Sequence, residues 1–243
     1  MKRNILVAIL FGLTLIACEK DFLDKQPSNR ISEKIITSND GTIEIGINGT
    51  YRTLASYLFD GLYTSAMAEV MSGDALITKS NNYTRFLVYY QYNLKSTSTY
   101  ASYIWISAYE VIDNANVILA GIDKASGDKD KLDNLKGEAL TLRAYSYMQL
   151  ANMFQAETYS VNPNALCVPL RVEPYQTTMS ADIPRATNNQ VYDQIEKDLL
   201  EAANLIKEDN RTGRFSKRAV QGLLARVYLQ KGMWEDAATW AIA

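Results

Sequence analysis

The chain has 243 residues, 47% apolar and 21% charged, with 25 Lys and Arg against 27 Asp and Glu. That balance offers no basic surface for nucleic acid, and the length suits one or two domains with a real core. Histidine is absent, which removes the commonest general base, the usual triad base and the usual zinc ligand; no metal site and no cofactor are expected.

Lys2 and Arg3 precede an apolar run from Ile5 to Ala17, and Cys18 opens the polar stretch EKDFLDKQPSN. A basic start, about a dozen apolar residues and a small residue before the break describe an export signal; spanning a bilayer takes roughly 20 apolar residues. The order Leu15, Ile16, Ala17, Cys18 resembles the lipobox of bacterial lipoproteins. The resemblance implies cleavage before Cys18 and acylation at Cys18, and several acyl chains anchor a protein stably where one is marginal. Residues 1–17 are read as the signal peptide, and 18–38 as the lipidated cysteine and a polar tether. Losing Lys2 and Arg3 leaves 23 bases against 27 acids, a mature net charge of −4. Cys167 then has no disulfide partner and is read as a small buried hydrophobe.

Helical spacing begins after Ser38 and Asn39, both good cap residues, with Ile43, Ile47, Leu54 and Leu58 on one face. A second face runs through Ile104, Ala108, Val111, Ala115, Ile118 and Ile122 as far as the Gly127-Asp128 turn. A third runs through Leu140, Ala144, Tyr147, Ala151 and Phe154. Residues 156–186 hold Pro163, Pro169, Pro174 and Pro184, a spacing that no helix survives. Thr187 and Gln190 then predict a capping box at the head of the face Val191, Ile195, Leu199, Ala202, Ile206. Leu224, Ala225, Tyr228, Gly232, Trp234 and Ala237 fall at the offsets of a tetratricopeptide hairpin, in which Tyr228 and Trp234 are expected to fill the space between two helices. The sequence stops at Ala243 inside the second of these helices and is read as truncated.

Five segments in order carry a resemblance to the amino-terminal half of the SusD/RagB family of outer-membrane nutrient-binding lipoproteins. They are CEKDFLDKQPSNRIS (18–32), WISAYEVIDNANVIL (105–119), GEALTLRAYSYMQLANMFQ (137–155), VPLRVEP with DIPRATNNQVYDQIEKDL (168–199), and GLLARVYLQKGMWEDAA (222–238). The resemblance implies an all-α, tetratricopeptide-like scaffold, interrupted here by the long Pro-rich insertion, with 39–243 as the amino-terminal helical domain. It implies a partner too, a TonB-dependent SusC-like transporter to which the protein passes an oligosaccharide, or in some members a peptide, without catalysis. The acids of EKD resemble the signal that sends such lipoproteins to the outer face of the outer membrane, or simply keep the tether soluble; both readings stand.

Sugars are held by flat aromatic faces and by hydrogen bonds from carboxylates, amides and arginine. The stretch between the first two long helices has that composition, and Asp74, Asn82, Tyr83, Arg85, Tyr89 and Trp105 are the candidate glycan-binding residues. Trp105 and Tyr109 also lie on a helical face, which assigns them mainly to packing. Arg143 interrupts an apolar helix and is expected to pair with a helical acid such as Glu110 or Glu138. Asn114 and Asn116 are read as structural, capping or bridging neighbouring helices. Two other functions are compatible with the sequence: a helical scaffold without its own ligand, and a surface glycoside hydrolase, for which no acid pair stands out.

Overall fold

The computed structural model describes residues 33–78, 85–93, 95, 97–175, 182–207 and 212–243. The leader, Cys18 and most of the expected tether lie outside them. One helical turn, α1 (Glu33–Ile36), leads into α2 (Asp40–Leu54). Asn39 caps α2 in a reciprocal box: its side chain accepts from Thr42 N at 3.0 Å while its own N–H donates to Thr42 Oγ1 at 3.2 Å. Ile43, Ile47 and Leu54 are buried as the spacing predicts, whereas Leu58 lies beyond the helix in a turn and is only half-buried.

After α3 (Tyr63–Ser72) and the single turn α4 (Leu87–Tyr90) come the two longest helices, α5 (Thr99–Gly121) and α6 (Lys129–Phe154), with a 3-10 turn at Ile122–Lys124 between them. Gly137, Ala139, Thr141, Ala144, Ser146 and Ala151 are all buried on α6. Their small side chains let other helices approach from several sides, so α6 is the central rod, packed between α5 and α7 (Asn188–Leu205). Gly137 shows how tight the fit is, since a Cβ there would meet Ile206 Cγ1 at 2.5 Å. Thr187 and Gln190 form the predicted capping box, and Val191, Ile195, Leu199, Ala202 and Ile206 are all buried.

The Pro-rich segment is not wholly irregular. β1 (Leu166–Pro169) pairs antiparallel with β2 (Arg185–Thr187), with Leu166 opposite Thr187, Pro169 opposite Arg185 and an irregularity between. Runs of four and three residues carry no readable period, so this ribbon leaves no signature in the sequence. The hairpin of α8 (Lys217–Lys231) and α9 (Trp234–Ile242) stands where its motif put it, turned by Gly232 at φ 76°. Tyr228 is buried, but Trp234 is 67% exposed, contrary to the filling role expected of it. It is the first residue of α9, where a side chain tilts back past the helix's amino end. Among the described residues no helix is long and apolar enough to cross a membrane.

Candidate functional site

Two surfaces converge on α5. At its amino end an aromatic cluster ties α3, α4 and α5 together. The Tyr63 ring meets Tyr100 edge-on at 4.9 Å between centroids, Phe86 at 5.7 Å and Tyr57 at 5.8 Å, and Phe86 stacks on Tyr100 at 5.0 Å. Burial raises the Tyr63 pKa, helped by Tyr100, Tyr57 and Tyr103, while Arg85 pulls it down, which puts that guanidinium within electrostatic reach of the cluster. Tyr89 lies inside, its hydroxyl 2.8 Å from Ser98 Oγ.

The rim is a different matter. Tyr57 is 62% and Tyr92 66% exposed, and Tyr90 and Tyr103 also reach solvent. The Tyr92 hydroxyl donates to the Met71 carbonyl, which sets the ring against the end of α3 just before Asp74. Asp74 is exposed and accepts from Ser72 Oγ at 2.9 Å. Phe86 and Tyr92, one before and one after α4, are both left-handed, at φ 55° and 52°. Of the candidates read from the sequence, Asp74 and Arg85 thus lie at the exposed rim and Tyr89 beneath it, while Asn82 and Tyr83 fall outside the described residues. Tyr57, Tyr90, Tyr92 and Tyr103 are the exposed rings, a division between core and rim that composition alone cannot make.

Trp105 belongs to a second surface, being about 160° round the helix from Tyr103. It is half-buried, meets Phe154 edge-on at 5.0 Å, and lines a cleft of about 720 Å³. One wall is the α5 face Trp105, Tyr109, Asp113 and Asn116; the other is the strap Pro169–Tyr175 with Asp182 and Ile183. The strap is clamped to the helices by side chains. Tyr109 Oη donates to the Pro169 carbonyl at 2.6 Å, Tyr147 Oη bridges the Arg171 carbonyl and N–H at 2.7 Å each, and Asn116 Nδ2 donates to the carbonyls of Arg171 and Glu173 at 3.3 and 3.0 Å. Tyr175 N donates to Asp113 Oδ1, and the Arg171 guanidinium lies 5.1 Å from the Tyr175 ring centre. Burial raises the pKa of both Tyr109 and Tyr147, so these hydroxyls stay protonated donors.

Behind Asn116 stands Arg143, and here the sequence reading needs correcting. Its partner is Asp198 on α7, not Glu110 or Glu138. Glu138 is five positions back along α6, about 140° round the helix, and holds Arg214 at 3.1 Å instead; Glu110 is exposed at the cleft. Among the described residues no group of His, Cys, Asp and Glu is placed to hold a metal ion.

A family described as starch-binding and associating with the outer membrane matches residues 21–229. A SusD-like protein of Formosa agariphila is 23% identical over 240 residues, covering 98% of this chain and 45% of that protein. A SusD superfamily structure from Bacteroides thetaiotaomicron superposes with a TM-score of 0.75 at 26% identity, over 84% of this chain and 45% of the other. A laminarin-binding SusD-like protein gives 0.69 at 26% identity, over 84% and 42%. The chain spans less than half the length of these relatives.

Proposed function

The chain belongs to the SusD-like family, and from that premise we propose that it is a cell-surface lipoprotein, anchored through Cys18, that captures an oligosaccharide and presents it uncleaved to a TonB-dependent SusC-like transporter. The observation that carries this reading is the rim of exposed tyrosines over a fixed aromatic base. Tyr57, Tyr90, Tyr92 and Tyr103 offer ring faces to the C–H side of a sugar, while Asp74 and Arg85 stand by to meet hydroxyls. Asn82 and Tyr83 remain candidates on sequence alone, and Tyr89 supports the rim from below. A relative that binds laminarin makes a glucan the first ligand to try.

The test is binding of the chain, expressed without its leader, to immobilised neutral polysaccharides beside a Tyr90→Ala/Tyr92→Ala variant. Retention of the wild type and a marked weakening in the variant is the expected outcome. Release of reducing ends by the pure protein would overturn the non-catalytic part. The anchor is tested separately: fatty-acid label should enter the wild type in cells and not a Cys18→Ala variant.

A further inference from the structure

We propose that the cleft between α5 and the Pro169–Tyr175 strap is a second carbohydrate site, one that accepts a short neutral oligosaccharide and rejects acidic ones. The inference rests on the glycan-binding reading above but concerns a different face of α5. Its volume, about 720 Å³, lies within the range of small-ligand pockets. Its apolar walls are Trp105, the half-exposed Tyr175, Ile106 and Ile183, surfaces suited to the C–H face of a sugar ring.

The polar groups divide in a telling way. Asn116 and the Tyr109 hydroxyl are spent on the fold, the first on the strap carbonyls and Arg143, the second on Pro169. Glu110 and Asp182 make no ion pair among the described residues, and Asp113 uses one oxygen on Tyr175 N. What faces a ligand is therefore mainly carboxylate oxygen, which only accepts hydrogen bonds. Sugar hydroxyls supply the matching donors. Three carboxylates against Arg171 leave the lining net negative, so a uronate or sulfated sugar is repelled. The same negative lining would also draw an organic cation, and the lysine-rich peptide in the experiment below tests that occupant.

The site is also preformed. The hydrogen bonds from Asn116, Tyr109 and Tyr147 hold the strap before any ligand arrives, which spares binding the cost of ordering it.

The experiment is calorimetric titration of the chain without its leader with neutral gluco-, manno-, xylo- and galacto-oligosaccharides, with oligogalacturonates of matched length, and with a lysine-rich peptide. It is run on wild type, Tyr90→Ala/Tyr92→Ala, Tyr175→Ala, and Glu110→Gln/Asp182→Asn, each checked for an unchanged circular dichroism spectrum. The expected result is neutral-sugar binding that survives in Tyr90→Ala/Tyr92→Ala and weakens at least tenfold when Tyr175→Ala is added. Glu110→Gln/Asp182→Asn, two changes at exposed positions, should narrow the discrimination against oligogalacturonate about tenfold. Binding abolished by Tyr90→Ala/Tyr92→Ala and indifferent to Tyr175→Ala would overturn the second site and leave the proposed function standing. No sugar binding by wild type would overturn both. Binding of the lysine peptide alone would overturn the ligand class.

Discussion

Arg143 on α6 and Asp198 on α7, 55 positions apart, form a two-pronged buried pair: Nε reaches Oδ2 at 2.8 Å and Nη2 reaches Oδ1 at 2.7 Å. The remaining nitrogen, Nη1, donates to Asn116 Oδ1 on α5 at 2.8 Å. One guanidinium therefore joins three helices and, through Asn116 and a 3.4 Å bond to the Val172 carbonyl, the strap that walls the cleft. Burial pushes the Asp198 pKa up and the two bonds from Arg143 oppose it, with a third bond from Gln194.

Removing one partner of such a pair leaves a charge buried alone, typically a loss of about 3–5 kcal/mol. Arg143→Met should cost about that much in urea unfolding, and Arg143→Met/Asp198→Leu should recover a good part of it, because the second change removes the stranded carboxylate. A single variant within about 1 kcal/mol of wild type, on the same scale, would mean that the pair contributes little.

Asn116→Leu removes both of its bonds to the strap and leaves Arg143 Nη1 only the Val172 carbonyl, at 3.4 Å. A loss of about 1–3 kcal/mol follows from the under-satisfied donor and carbonyls. The more telling readout is local: amide exchange should quicken at Arg171 and Tyr175, which flank the lost contacts, before it changes along α7.

The packing of α6 against the end of α7 is tested by one methyl group. Gly137→Ala gains about 1 kcal/mol of helix propensity but drives a Cβ to 2.5 Å from Ile206 Cγ1 and 3.2 Å from Leu205 Cβ. Overpacking of this kind costs about 1–3 kcal/mol, so thermal unfolding should show a net loss. A raised melting temperature would show that the end of α7 moves aside freely.

These interior contacts mark the boundary of what the sequence could reveal. Helix faces such as Val191, Ile195, Leu199 were readable because burial repeats with the helical turn, and the Thr187–Gln190 box because both halves lie within four residues. The all-α scaffold and its terminal hairpin followed from such local patterns together with the family resemblance. The Arg143–Asp198 pair and the Trp105–Tyr175 cleft unite residues far apart in the chain, and no spacing encodes such a meeting. Composition marks the stretch in which the exposed tyrosines lie. It could not tell Tyr89, which is buried, from Tyr90, which is not.

Cys167 supplies a pH prediction. Burial pushes its thiol up to about 11 from an ordinary value of 9.0, so the folded chain holds the proton in a range where the unfolded chain has lost it. Stability from this group is complete below pH 9 and is lost as pH rises towards 11, by about 2–3 kcal/mol at most. Tyr192 and Tyr228, raised by burial to about 12, extend the loss further into alkali. Cys167→Ala should flatten the pH 9–11 part of a stability profile, and the native thiol should react with disulfide reagents at pH 8 only as fast as the chain opens. Rapid labelling of folded protein would contradict this.

Phe86 and Tyr92 hold left-handed backbone at the two ends of α4, positions where glycine would sit without strain. A bulky side chain in that conformation costs about 1–2 kcal/mol, and the chain carries it twice within seven residues. Two constrained turns leave the intervening helix little latitude to slide or rotate, so the backbone that carries Tyr90 and Tyr92 is held in place at both ends. On the glycan reading proposed above, such a surface would select a ligand by the shape it already has and not by adapting to it.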